Sequence, residues 1–246
     1  VFGASDPLGG IVVIEEMVRL FARMYKQGWR PLRSLMFAGW DGEEYNLLGS
    51  TTFVDKRREF IQKYLKAYVN IDGVVGTWFP DAVLLSVSAS PVLKGVLDQA
   101  VANTPSPVLR NVSAAVANFD NTFGVLGDGS DYCSFINHLG VPSLDLQWNS
   151  PGTPEPQYHS AYDSFYLMSE VVDPQFAVHK ASVTLVGLAL YSLANVTQVP
   201  LTPSFAASQY AQYKQMIIQQ YPILAALDWS TYDDAVSDLS MEATAI

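Results

Sequence analysis

Cysteine is nearly absent from this chain. Cys133 is the only one in 246 residues, which excludes an internal disulfide framework and a cysteine-ligated metal site. Positive charge is also scarce, with 14 Lys and Arg against 24 Asp and Glu, a net charge of −10 and a pI near 4.6. Proteins that grip phosphate backbones concentrate basic residues, so nucleic acid is excluded as a partner. Long hydrophobic runs are missing too. The most apolar stretch, "ASVTLVGLALYSLA" at 181–194, is broken by Ser, Thr and Gly and reads as a core helix too short to span a bilayer. There are no internal repeats, no low-complexity tracts and no visible signal peptide, and the opening "VFGASDP" starts in mid-pattern, as if a longer protein supplied this piece. What remains is a composition of 49% hydrophobic and 15% charged residues, enough for one sizeable core or two small ones.

The periodicity predicts an α/β fold. In "IVVIEEMVRLFARMYKQG" apolar groups recur at Val13, Met17, Leu20, Phe21 and Met24, opposite Glu16, Arg19, Arg23 and Lys26, and Gly28 stops the helix. "SLMFAGW" reads as a strand, followed by a helix near 47–63, and "KAYVNIDG" reads as a second strand. "AVLLSVSAS" and "VPSLDLQ" are strand-like, while 91–102, "DYCSFINHLG" and 174–195 are helical, with loops at 103–130 and 148–170. This alternation implies a mainly parallel mixed sheet covered by helices on both faces. A boundary falls near 199, dividing 1–198 from a helical segment, 199–246, that is too short to form a core alone. Two triplets, Asn111-Val-Ser113 and Asn195-Val-Thr197, fit N-glycosylation acceptors and hint at a secretory route.

Acids gather where the predicted strands end. Glu43 and Glu44 follow the strand ending at Trp40, Asp72 closes "YVNID", and Asp6 precedes the first helix; His159 stands in "PQYHSAYDSF". Ligands of covered parallel sheets bind at the carboxyl ends of strands, and clustered carboxylates need counter-charge. Carboxylates together with an imidazole suit zinc. Three anionic ligands and a hydroxide would balance two divalent ions and leave Glu43 as a free base. Each residue also has a plainer explanation. A lone Asp at a strand end is more often a turn or helix cap, an isolated loop His is more often solvated, and paired Glu residues usually form a wet surface. Asp41 fits a supporting partner, and Trp78, Phe79 and Trp148 fit core packing better than a pocket lining. A carboxylate-pair glycosidase leaves His159 without a role.

The ordered segments "SDPLGG", "WDGEEYNLLGS", "VNIDG", "LGDGSDYCSFINHLGVPS" and "YHSAYDSF" resemble the co-catalytic zinc peptidases of the glutamate carboxypeptidase II and transferrin receptor family over residues 1–198. That resemblance implies a zinc aminopeptidase-like fold and two zinc ions. Asp6 would bridge them, Glu44, Asp72 and His159 would be ligands, Glu43 the general base, and Tyr158 a hydroxyl that stabilises the tetrahedral intermediate. In the family a further histidine ligand stands about ten residues before the bridging aspartate, upstream of this chain's first residue, so one zinc site is incomplete here. Ser130 and Asp131 stand in the family's substrate-touching "GND"-type segment. Asp145 and Gln147 stand where glutamate-preferring members carry arginines. A substrate carboxylate would there lose bidentate partners worth about 1–3 kcal/mol. The implied activity is thus hydrolysis of small peptides by an aminopeptidase or dipeptidase rather than a strict glutamate carboxypeptidase. The alternatives are a non-catalytic receptor or scaffold of the same fold, or an inactive fragment. The resemblance further implies a homodimer through the helical segment and an extracellular or vacuolar protein of the secretory pathway, with room for a type II membrane anchor upstream.

Overall fold

The computed structural model describes residues 2–75, 84–105, 123–149 and 157–242. Helix α1, Leu8–Lys26, buries Val13, Met17 and Phe21. Leu20, expected in the same stripe, stays 37% exposed at its rim. The chain reverses at Gly28, whose φ of 101° lies in the left-handed region that favours glycine. Residues 34–40 then run without a strand partner among the described residues, contrary to the strand expected there. Leu35 and Phe37 still pack on the core, so the apolar signal was one of burial and not of pairing. The expected helix at 47–63 is two helices, α2 (Leu48–Lys56) and α3 (Arg58–Tyr64), which meet at Arg57.

Four strands follow: β1 (Tyr68–Asn70), β2 (Leu84–Ala89), β3 (Phe123–Gly124) and β4 (Ser143–Asn149), in spatial order β1-β4-β2-β3. The pairs β1–β4 and β2–β3 are parallel, but the longest ladder, β2–β4, is antiparallel over six residue pairs. The sheet is therefore more evenly mixed than the alternation of elements predicts. The two-residue β3 falls within a predicted loop and is too short to carry a periodic signal.

Helix α4 (Lys94–Ala102), α5 (Tyr132–Leu139) and α6 (Ala177–Asn195) complete the body. One face of the sheet, with Leu85, Val87, Leu144, Leu146 and Trp148, packs against Val13 and Met17 of α1, Leu97 of α4 and Leu185 of α6. A second cluster joins Val54, Ile61, Phe135 and Val141. Helices thus cover both sides, as the continuous apolar runs implied. Trp148 is buried and donates its indole N–H to Ser182 Oγ at 2.9 Å, a core role. Trp78 and Phe79 lie outside the described residues. Helix α6 ends where the sequence predicts and begins three residues later than the expected 174. Its 19 residues are apolar enough to cross a membrane, yet half of that window is buried within the protein.

Beyond Pro200 the chain continues as α7 (Pro203–Gln220) and α8 (Ser230–Glu242). Ala206 and Ala207 are buried, and Thr202 donates its N–H to Val92 O at 2.9 Å. Gly95 lets the Pro200 carbonyl approach, since a Cβ there would lie 2.3 Å from that oxygen. The two helices are joined by Lys214 Nζ to Asp233 at 2.7 Å and Tyr232 OH to Tyr210 O at 2.7 Å.

Candidate metal and catalytic centre

Asp6 ends a tight loop just ahead of α1. Asp163 fixes that loop: its carboxylate accepts the N–H of Ser5 at 2.7 Å and of Asp6 at 3.2 Å, and its carbonyl accepts the N–H of Ala4 at 3.3 Å. Helix α1 then lies directly against the end of β1. A Cβ on Gly10 would sit 2.1 Å from Ile71 O and 2.4 Å from Asp72 O, so only glycine permits this approach of backbone to backbone. The loop carrying Asp6 and the strand end carrying Asp72 are brought together by that contact.

"WDGEEYNLLGS" folds back on itself. Gly42, Asn46 and Leu47 all take left-handed backbone angles. Leu48 N–H reaches Gly42 O at 3.1 Å and Gly49 N–H reaches Asp41 O at 2.9 Å. Gly49 has no room for a side chain, because a Cβ would lie 2.5 Å from Asp41 O. Within this closure Glu43–Tyr45 forms a single 3₁₀ turn. Successive side chains of such a turn diverge by about a third of a revolution, so the adjacent acids face different neighbours. Glu44 Oε1 lies 2.8 Å from His159 Nε2. Glu43 turns toward Asp72 and Asp131.

His159 occupies a left-handed position, φ 54°, and its ring stacks on Tyr158 at 3.7 Å between centroids. Its Nε2 is also 3.5 Å from Asp6 Oδ2. One ligand atom from each of Asp6, Glu44 and His159 falls within 4.8 Å of the others, a spacing that suits a single cation. Asp72 is not in that triad but lies beside it: its charge raises Asp6, and a Cβ on the next residue, Gly73, would lie 3.7 Å from Asp6 Cβ. Two carboxyls that close need either a proton or a cation between them. Three of the expected ligands, Asp6, Glu44 and His159, thus come within 4.8 Å of one another, and Asp72 stands at the strand end beside Asp6.

The remaining predicted residues surround Asp72. Ser130, which the resemblance placed against substrate, is buried, donates its hydroxyl to Asp72 Oδ2 at 2.6 Å and accepts Asn70 Nδ2 at 3.0 Å, so it holds the Asp72 carboxylate. Asp131, also buried, accepts the Ser50 hydroxyl. Asp145, opposite Asn70 in the β1–β4 register, accepts Asn70 Nδ2 at 2.9 Å. Gln147 lies one alternation further along β4, on the same partly open face, and its amide nitrogen is near Gly73. Tyr158 is 56% exposed at the rim.

Crowded negative charge shows in the titration of these groups. Burial, then Asp72 and Glu44, push Asp6 up to about 6, while His159 opposes them. Burial, then Asp72, Asp131, Glu44 and Asp6, push Glu43 up to about 7. Burial and Asp72 raise Asp145 to about 6 against the pull of Asn70. Burial also raises Asp131 and the Tyr158 hydroxyl. His159 is the one cation-capable group among the causes of these shifts in the four acids. Oxygen and imidazole donors around shared negative charge are the chemistry that a divalent metal satisfies.

Two contributors escaped the sequence reading. Asn70, itself buried, ends a half-buried relay in which Trp40 Nε1 donates to Tyr68 OH at 3.0 Å and Tyr68 OH donates to Asn70 Oδ1 at 3.0 Å. Asp163 was visible only as the acid of "YHSAYDSF", and spacing does not reveal that it serves backbone N–H groups. Asp163→Asn leaves one of those groups facing an NH₂ donor. We expect it to weaken metal binding by the full-length protein about 10- to 100-fold, as loss of an orienting partner typically does. Competition against a chromogenic chelator measures this, and an unaltered affinity would show that Asp6 holds its place without the clamp.

The comparisons with known proteins agree with this geometry. The probable glutamate carboxypeptidase LAMP1 of Arabidopsis thaliana is 32% identical over 98% of this chain, and the aminopeptidase NAALADL1 of Rattus norvegicus is 32% identical over 89% of it. The chain spans 35% and 31% of the length of those relatives. Among solved structures, a zinc aminopeptidase of Bacillus subtilis superposes with a TM-score of 0.57 at 24% identity, covering 80% of this chain and 43% of its own. It shares the fold. The model of peptidase family M28 matches residues 1–176, and the chain belongs to that family.

Proposed function

We propose that this chain carries the centre of a zinc-dependent exopeptidase that holds two zinc ions and cleaves small peptides from a free amino terminus. The convergence of Asp6, Glu44 and His159 within 4.8 Å, with the Asp72 carboxylate near enough to raise Asp6, carries the reading. Asp6, Glu44, Asp72 and His159 are the residues that would hold the ions. When bound, zinc would supply a water acidified to a pKa of about 7 and a Lewis acid for the scissile carbonyl.

The protein's own groups do the rest. Glu43, poised near neutral pH, takes the proton of the attacking water and delivers it to the leaving amine. Tyr158, stacked on His159 at the open rim, offers its hydroxyl to the developing oxyanion. Ser130 and Asn70 keep Asp72 in place. Asp145, the acid of the β4 face, is the proposed partner of the substrate amine; the one charged group among the causes of its shift is another acid, Asp72, which argues against a bound glutamate side chain. Names among the relatives include both glutamate carboxypeptidases and aminopeptidases, so the choice between them rests on this charge.

The test is hydrolysis by the full-length protein of a dipeptide amide, its N-acetyl counterpart, and an N-acetylated peptide ending in glutamate. The first is expected to turn over, the second and third to be at least tenfold poorer, and a chelator to abolish activity that zinc restores. Asp145→Ala should raise KM for the free-amine peptide about tenfold, the loss of one charge-assisted hydrogen bond. Preferential cleavage of the glutamate-terminated peptide would reverse the assignment of polarity.

A further inference from the structure

We infer that Asn195 carries an N-linked glycan, which places this face of the protein in the lumen of the secretory pathway. The inference is independent of the hydrolase reading. Asn195-Val196-Thr197 has no proline between or directly after its members. It sits where α6 ends: Val196 is already extended, φ −101° and ψ 146°, and Thr197 is exposed. Arg33 fixes the backbone of the triplet by donating to Leu193 O at 3.2 Å, Val196 O at 2.7 Å and Thr197 O at 3.1 Å.

The Asn195 side chain is oriented rather than consumed. Its Oδ1 accepts Trp29 Nε1 at 2.9 Å, which leaves Nδ2 on the outer side, 2.6 Å from Tyr191 OH. A glycosylated amide retains its carbonyl and one N–H, so both bonds persist after modification. Tyr191 is 38% exposed and stacks on Trp29 at 6.1 Å, which gives the first sugar an aromatic surface to cover. Attachment is a transfer from a lipid-diphosphate-linked oligosaccharide. Nδ2 forms its bond to the anomeric carbon as the carbon–oxygen bond to phosphate breaks, the amide gives up one proton, and the lipid diphosphate leaves. The other acceptor triplet, at Asn111, lies outside the described residues.

The experiment uses the full-length protein isolated from its own cells. Enzymatic deglycosylation in heavy-oxygen water followed by peptide mass spectrometry should find most Asn195 converted to labelled aspartate. Asn195→Gln would also break the bonds to Trp29 and Tyr191, so Thr197→Ala is the informative variant. It keeps the asparagine, and it should lose the label at Asn195 completely while Trp29 fluorescence stays as in the wild type. An unlabelled Asn195 in the wild-type protein overturns the inference.

Discussion

Glu43→Gln leaves the full-length protein able to bind zinc and almost unable to hydrolyse peptide. The expected fall in kcat is about 10²–10⁴-fold, the usual contribution of a positioned acid–base group. Three observations set this expectation. Glu43 and Glu44 leave the same 3₁₀ turn in different directions, and only Glu44 reaches His159. Glu43 is absent from the atoms close enough to share a cation with Asp6 and His159. Its acidity is shifted up to about 7 by burial and by four neighbouring acids, which suits a group that accepts a proton and returns it in one cycle. Glutamine has almost the same shape but cannot carry the proton. Metal content by mass spectrometry and kcat at saturating peptide distinguish the two functions. A variant that keeps its turnover would remove Glu43 from the mechanism, and one that loses its zinc would make it a ligand.

Zinc should stabilise the protein strongly at pH 8 and progressively less toward pH 5. Asp6, Glu43 and Asp145 titrate near 6, 7 and 6, above their ordinary values of 3.8, 4.5 and 3.8. The folded chain thus binds their protons more tightly than the unfolded chain does. Without zinc these groups destabilise the fold above pH 7, and the penalty is relieved as pH falls through 7 and 6 toward 4. Zinc reverses the order, because a cation replaces the proton between Asp6 and Asp72 and needs both carboxylates ionised. Binding at a thousandfold excess over Kd adds about 4 kcal/mol to unfolding. Each pH unit below about 6 removes about a factor of ten in affinity through Asp6 alone. Denaturant midpoints with and without zinc at pH 8, 7, 6 and 5 measure the effect. A zinc increment that does not change with pH would mean that Asp6 is not a ligand.

Much of this centre is legible in the sequence because its donors stand in short segments with distinctive neighbours. "WDGEEYNLLGS" needs glycine at 42 for its left-handed backbone and at 49 for lack of space, and the acids between them are held by that closure. The helices α1 and α6 show through their apolar content, α6 to within three residues of its start. What stayed hidden depends on partners distant in the chain. The apolar run at 34–40 looks like a strand, and pairing is a property of the neighbour, not of the run. Ser130 read as a substrate contact, and the bond that its hydroxyl donates was not visible because the acceptor, Asp72, is 58 residues away. Asp163 was silent because it acts on backbone N–H groups 157 and 158 positions earlier, and those have no side-chain identity to read.

Strand β4 has neighbours on both sides, β1 in parallel and β2 antiparallel, and its inward Leu144, Leu146 and Trp148 alternate with Asp145 and Gln147 on the face toward the acids. Lengthening or shortening this strand by one residue would turn every later side chain over, driving carboxylate and amide into the core and indole into water. The pair Asp145 and Gln147 can therefore vary only by exchange of one side chain for another. Insertions and deletions that reshape this face must instead fall in the connections around the sheet.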